Sequence, residues 1–321
     1  MLCRRNLSVL NMSKCVKCAK QAKISLAYGP HRFCAEHFNE FFEKRVFKTV
    51  RENKLLGNAE KCAVGLSGGK DSTAALFLLQ KLFAKTNPIE AVMVDEGIKG
   101  YRDKALKIAK KNCEEWRIPF TVVDMKKELG YSMTDVFKKI SKNEELGSSC
   151  SFCGVFRRRL LNKGALAIGA DKTATGHNLD DEAQSIVMNF FESDLRRLSR
   201  LGPIVSEKKS KKLVPRIKPL YESPENEILA FCSFNGLKHY SEECCPFSWQ
   251  AKRNEFRSTV DSFEEKFPGT KFKLLASFRQ LKPLLEKSFA GEKFNYCAKC
   301  GEPTSARECR SCSKLDALLK H

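Results

Sequence analysis

The sequence predicts an α/β domain built on a parallel sheet, with a small cysteine-rich module at each end. Three observations carry this. Short runs of strand length at 62–66, 89–95, 120–125 and 172–177, the first three apolar, alternate with segments of helical periodicity. That order gives parallel strands joined by right-handed crossovers. A glycine-rich loop separates the first run from the first helix, and Cys-x-x-Cys pairs mark both ends of the chain.

The loop is the most informative stretch. In KCAVGLSGGKDSTAALFLLQKLF (61–83), Ser67-Gly68-Gly69-Lys70-Asp71-Ser72 lies between the run at 62–66 and a helix predicted over 73–83. Two glycines let the backbone approach a ligand, the helix start directs its amides and dipole at an anion, and Lys70 adds a cation. This is a phosphate cradle. A Walker A loop would need Ser or Thr after Lys70, where Asp71 stands, and a G-x-G-x-x-G dinucleotide fingerprint is absent.

Composition limits the partners. The 321 residues allow one large domain with small appendages, and the formal net charge is +20. A surplus that large asks for a polyanion or an acidic membrane surface. No apolar run approaches the roughly 20 residues of a membrane span, and residues 2–10 are too short and polar for a signal peptide. No membrane association is expected, so nucleic acid is the better partner. Fifteen cysteines without a secretory signal fit a reducing, cytoplasmic setting, where spaced cysteines serve metals or redox chemistry more often than disulfides.

Residues 1–11 read as a frayed tail. Cys15-x-x-Cys18 and Cys34-x-x-His37, fifteen residues apart, suit one tetrahedral zinc in a module spanning 12–44. A helix is expected over 38–53, leading into a catalytic domain at 45–290. After the loop helix come a strand at 89–95, a basic helix at 101–116, a strand at 120–125 and a helix at 134–145. Ligands in such sheets sit beyond the carboxyl ends of the strands, so the phosphate loop and the 94–97 turn should enclose one nucleotide.

Cys150 and Cys153 stand at the start of a helix within 148–170, followed by Arg157, Arg158 and Arg159. A lone C-x-x-C is shared by redox pairs, half-sites for metals and chance pairs. After the strand at 172–177, Asn178 can cap a helix whose first turn holds Asp180, Asp181 and Glu182. Acids there are ordinary dipole partners, and equally a carboxylate facing the nucleotide would hold Mg²⁺ or move a proton. Residues 214–221 read as an extended crossing, 225–235 as a helix, and 250–260 as a basic helix after Cys244 and Cys245. At the end, Cys297, Cys300, Cys309 and Cys312 make a zinc-ribbon pattern in a module at 291–321. Both terminal sets fill all four zinc positions with protein, which makes them structural. Cys3, Cys62, Cys113 and Cys232 read as core or bystander thiols. Of Cys150, Cys153, Cys244 and Cys245, three would hold an iron–sulfur cluster with one iron open to sulfur, a third zinc, or a disulfide or persulfide pair.

SGGKDS after a strand resembles the PP-loop of the ATP pyrophosphatases, which split ATP between its α and β phosphates and adenylate a carbonyl oxygen. Together with CSFCGVFRR (150–158), TGHNLDDEAQ (175–184), EECCPF (242–247) and the two terminal modules, the chain from about residue 12 resembles the TtuA-type and cytosolic tRNA 2-thiouridine synthetases. The resemblance implies a HUP-like PP-loop domain between an N-terminal zinc knuckle and a C-terminal zinc ribbon. It implies adenylation of O2 of a tRNA uridine, at the wobble position or in the T-loop, and displacement of AMP by sulfur. By resemblance ATP is held by Gly65, Ser67, Gly68, Gly69, Lys70, Asp71, Ser72, Val94, Arg157 and Gly176, with Mg²⁺. A [4Fe-4S] cluster falls on Cys150, Cys153 and Cys245, the cysteine before Pro246. Cys244 is extra to the family pattern. Asp71, Asp180 and Arg157 join Cys150 and Cys153 as catalytic residues; Arg157 stands where some relatives have Lys and stabilises phosphate charge. The sulfur donor is a ubiquitin-like thiocarboxylate carrier or sulfide, and relatives are often homodimers. Two other readings compete: a PP-loop adenylating enzyme without sulfur chemistry, and a zinc-ribbon RNA-binding adaptor with a dead nucleotide fold. The C-x-x-C and ECCP set opposes the first, and the intact SGGKDS loop opposes the second.

Overall fold

A computed structural model describes residues 14–205, 212–241, 245–247, 252–290 and 295–320. The first named elements among the described residues are a hairpin of β1 (Ile24–Ser25) and β2 (Arg32–Phe33), then α1 (Ala35–Glu52). Phe38, Phe42, Val46 and Val50 recur every four residues on α1 and are all buried. The 44/45 boundary expected from the sequence falls inside this continuous helix. Arg45 on α1 ion-pairs with Glu227 at 2.7 Å, tying the module to the main domain.

The main sheet is laid down by β3 (Cys62–Gly65), α2 (Lys70–Phe83), β4 (Ile89–Asp95), α3 (Arg102–Glu115), β5 (Phe120–Asp124), α4 (Met125–Leu129), α5 (Met133–Ile140) and α6 (Ser149–Ala167). It continues with β6 (Lys172–Ala174), α7 (Leu179–Phe191), α8 (Leu195–Ser199), β7 (Ile204–Val205) and β8 (Arg216–Ile217). The strand order is β5-β4-β3-β6-β8-β7, parallel except where β7 runs against β8. Strand order reverses between β3 and β6, so their carboxyl ends frame the ligand crevice. Helices α2 and α3 cover one face around Leu76, Leu79 and Leu106. Helices α5 and α6 cover the other around Phe152, Phe156 and Leu160. Both faces are apolar because both are covered.

The rest comprises α9 (Glu225–Phe234), α10 (Arg253–Lys266), α11 (Thr270–Ser288), the hairpin β9 (Asn295–Tyr296) and β10 (Pro303–Thr304), and α12 (Arg310–Lys320). The helix expected over 134–145 stops at Ile140, and the crossing at 214–221 contributes β8 to the sheet. The basic helix expected over 250–260 is α10, beginning at Arg253 and running on to Lys266. Helix α11 is absent from the sequence reading. Leu275 and Phe278 bury it against Leu179, Ile186 and Tyr221, while most of its other positions are polar. Cys62, Cys113 and Cys232 are buried thiols, each pushed up to about 12 by desolvation.

Candidate active site and metal centres

The phosphate loop turns at Gly68, whose φ of +87° and 2.4 Å approach of a would-be Cβ to the Ala105 carbonyl admit only glycine. Ser72 Oγ accepts from the Ser67 amide at 3.1 Å and donates to the Gly69 carbonyl at 3.0 Å, so the loop is closed on itself. Across the crevice, a Cβ on Gly176 would lie 2.7 Å from the Ser72 amide nitrogen; only glycine lets the end of β6 come this close to the first turn of α2. Together they line a cleft of about 290 Å³. Of the expected nucleotide residues, Gly65, Ser67, Gly69, Asp71, Ser72, Val94, Arg157 and Gly176 line it. Gly68 makes the turn behind it. Lys70 points aside, its Nζ 2.5 Å from Glu225 and 3.2 Å from Asp71. Burial opposes the Lys70 charge, but those two carboxylates outweigh it and hold the ammonium above its usual pKa.

Asp180 is not among the lining residues. It accepts from the Glu225 amide at 2.7 Å and pairs with Lys271 at 2.5 Å. Asp181, one residue on, does line the cleft. Its carboxylate also accepts from the Asn178 amide in a capping box, and burial raises its pKa to about 6. His177 lines the cleft as well. Its ring is exposed at the cleft, yet desolvation by the protein around it, then Lys218, Arg216, Arg253 and Arg158, push its pKa down to about 3, which leaves the imidazole neutral.

Glu96, 2% exposed, organises the far wall. Its two oxygens pair with Arg157 at 2.7 Å and Arg102 at 2.6 Å. Arg102 also donates to the carbonyls of Val94 and Ser67, at 2.7 and 2.5 Å. The Glu96 charge raises the Arg157 pKa further, so Arg157 is a fixed cation. On its other side Arg157 Nη2 donates to Cys153 Sγ at 3.4 Å.

Cys150 and Cys153 lie in the first two turns of α6, and Cys153 and Cys245 pack at the edge of the same apolar cluster. Cys150 Sγ donates to the Phe247 carbonyl at 3.4 Å, and Phe247 stacks on Phe137 at 4.2 Å, which anchors the 245–247 segment over α5 and α6. Burial raises all three thiols. Cys244 lies outside the described residues. Three thiols converging from two segments in an apolar setting are a donor set suited to an iron–sulfur cluster.

The terminal sets are tighter. Cys15, Cys18, Cys34 and His37 have ligand atoms all within 4.8 Å of one another, as do Cys297, Cys300, Cys309 and Cys312. These are the only such sets among the described residues. Burial opposes a thiolate at Cys15, but the amides of Cys34, Lys17 and Cys18 outweigh it and bring the pKa to about 6. At Cys297 the amides of Cys309, Cys300 and Lys299 do the same, again to about 6. Sulfur held by amides in a closed four-donor set fits tetrahedral zinc.

Residues 36–262 match the ATP_bind_3 family, described as a PP-loop domain. The chain is 36% identical to the tRNA 2-thiolation protein NcsA of Haloferax volcanii, over 95% of this chain and 99% of that one. It is 35% identical to the tRNA-5-methyluridine(54) 2-sulfurtransferase of Pyrococcus horikoshii, over 93% of this chain and 92% of the relative. The solved structure of the U34-tRNA thiolase NcsA from Methanococcus maripaludis with its [4Fe-4S] cluster superposes with a TM-score of 0.80 at 34% identity, covering 95% of this chain and 96% of that one. The chain belongs to the PP-loop tRNA thiolation family.

For a member of this family, reading the sequence missed Glu96, Arg102, His177 and Arg216 around the cleft, and among the acids at the start of α7 it singled out Asp180 where Asp181 lines the cleft. Glu96 sits inside the 94–97 turn, and that turn was the signal for it. Asp181 differs from Asp180 only in helix phase, which Asn178 fixes by capping on the Asp181 amide. Other thiolation relatives include the cytoplasmic tRNA 2-thiolation protein 1 of Caenorhabditis briggsae, at 34% identity over 94% of this chain and 79% of the relative. Among the described residues no helix is long and apolar enough to cross a membrane.

Proposed function

We propose that the chain is an ATP-dependent tRNA-uridine 2-sulfurtransferase acting in the cytoplasm. One observation carries the reading beyond nucleotide binding: Arg157 faces the nucleotide cleft on one side and donates to Cys153 on the other. Adenylation and sulfur delivery therefore share a wall. A PP-loop enzyme without sulfur chemistry has no use for three thiols there.

The loop amides, the α2 dipole and Arg157 hold the phosphates. Asp71 would hold Mg²⁺ against them. Uridine O2 attacks the α-phosphorus, the α–β bond breaks, pyrophosphate leaves, and the uridine N3 proton goes to Asp181, which is ionised above about pH 6. AMP is a far better leaving group than the original oxygen. Hydrosulfide, supplied as sulfide or from a ubiquitin-like thiocarboxylate carrier, then attacks C2, and the C2–O bond breaks with release of AMP. Cys150, Cys153 and Cys245 would hold a [4Fe-4S] cluster, which supplies an open iron to bind and present sulfur. The target base has to leave its stack to enter the cleft. Each terminal four-ligand set would hold one structural zinc.

Anaerobic purification with iron, zinc and sulfide analysis, alongside tRNA-dependent formation of AMP, tests this. About two zincs, four irons and four sulfides per chain are expected. About three zincs and no iron, or AMP formation indifferent to tRNA, would refute it.

A further inference from the structure

Helix α6 carries three consecutive arginines, and each goes to a different place. Arg157 joins Glu96 in the nucleotide cleft. Arg159 reaches the C-terminal module, donating to Ser311 Oγ at 3.1 Å and pairing with Glu302 at 3.5 Å. Arg158 lies between them and lines two clefts at once. The second has a volume of about 240 Å³ and runs between α6, the 212–216 segment and the ribbon. Its walls carry Arg158, Lys212, Arg216 and Arg310. The lining carboxylate, Glu302, is engaged by Arg159.

The two clefts share Arg158, Leu161 and Arg216, so the second continues the first away from the phosphate loop. The charges that act most strongly on Arg158 are Arg216, Arg253, Arg310 and Arg197, all cations. Gathering like charges around a pit costs free energy that an anion offsets. Guanidinium forks match phosphate oxygens in pairs. The segment that closes the pit is held in place: Asn162 on α6 donates to the Lys212 carbonyl and accepts from the Val214 amide, both at 2.9 Å. The formal charge of +20 points to a polyanion rather than a small ion.

We propose that this second cleft binds a backbone phosphodiester of the RNA substrate, beside the nucleotide whose base enters the nucleotide cleft, with Arg158, Arg216 and Arg310 as its ligands and Lys212 at the rim. The ribbon is then half of the RNA site, contributing Arg310 to it. This assignment rests on the reading that the chain thiolates tRNA.

The test is tRNA binding by the anaerobically purified full chain across a salt series, for the wild type, Arg310→Glu and Lys212→Glu. Zinc content and ATP affinity are measured in parallel. Each variant should bind tRNA about tenfold more weakly, with a log–log salt slope shallower by about one, and with ATP affinity unchanged. If Arg310→Glu loses zinc, Lys212→Glu, which lies outside the ribbon, decides alone. Wild-type tRNA affinity and slope in the variants would overturn the cleft assignment and leave the function standing. Unchanged tRNA affinity with weakened inhibition by added pyrophosphate would overturn it in favour of the leaving product as the source of the phosphate. A wild type that neither binds tRNA nor forms AMP with it would remove the functional reading itself.

Discussion

The terminal four-ligand sets and the three thiols of the catalytic domain use the same side chain in opposite ways. In the terminal sets the backbone turns inward: the Cys309 amide donates to Cys297 Sγ at 3.2 Å and the Cys312 amide to Cys309 Sγ at 3.4 Å. Ligands lie close in sequence, and the site is complete in itself. The three thiols are drawn from α6 and from a segment almost a hundred residues further on. Burial raises them, and the group next to them is the Arg157 guanidinium rather than a ring of amides. A closed set of donors suits a metal that only holds chain together. A three-sided set beside a fixed cation suits a centre that must exchange a ligand with a charged reaction next door.

The sharpest test of this contrast is Cys153→Ala. Thiolation should fall by at least ~100-fold, with iron lost, both zincs kept and ATP affinity unchanged, read by mass spectrometry of digested tRNA and by metal analysis. Thiolation that persists would make the three thiols as structural as the terminal ones. Cys309→Ala should do the reverse: one zinc per chain disappears, iron stays, and amide exchange in α12 speeds up by ~10-fold or more. Behind Arg157, which separates the nucleotide cleft from Cys153, stands Glu96, buried with two guanidiniums on it. Glu96→Gln should cost about 3 kcal/mol of stability in denaturant titrations and weaken ATP binding as well, because Arg157 and Arg102 lose their common partner.

The smallest effect concerns Asp181. Its pKa is about 6 in the fold and near its ordinary value of 3.8 in the unfolded chain. The folded state therefore holds its proton more tightly, and stability contributed by the neutral form is lost as pH rises from about 4 to 6. Asp181→Asn should raise the melting temperature by a few degrees at pH 7.5 and leave it unchanged at pH 4. The same variant should abolish the rise in activity through pH 6. A rise that survives would assign proton transfer elsewhere.

What the sequence showed and what it hid divide along the same line. The phosphate loop, the alternating strands and both terminal ligand sets were legible because each is local: spacing and periodicity within some twenty residues encode it. Arg157 was legible through its motif. Glu96 was legible only as part of the 94–97 turn, and Arg216 was not, since it meets the cleft beside Arg158 from a strand far away in sequence. The loop showed where Lys70 stands but not that its ammonium pairs with Glu225, which comes from α9 far along the chain. Asp180 and Asp181 are both acids at a helix start; the Asn178 cap fixes the helix phase, which leaves Asp180 paired with Lys271 on α11 and Asp181 in the cleft lining. Helix α11 itself was hidden because few of its positions are apolar and buried.

The three arginines of α6 also bear on how this protein can change over time. Consecutive residues on a helix are rotated by about 100° from one another. One inserted or deleted residue upstream in α6 would turn Arg157 out of the nucleotide cleft, bring a neighbour into its place and strip Arg159 from the ribbon, all at once. Point substitutions along this helix can be sampled singly, whereas a change in its length is a simultaneous fault in three places. Length variation among descendants of this chain should therefore collect in the surface connections, with α6 kept to a fixed count of residues.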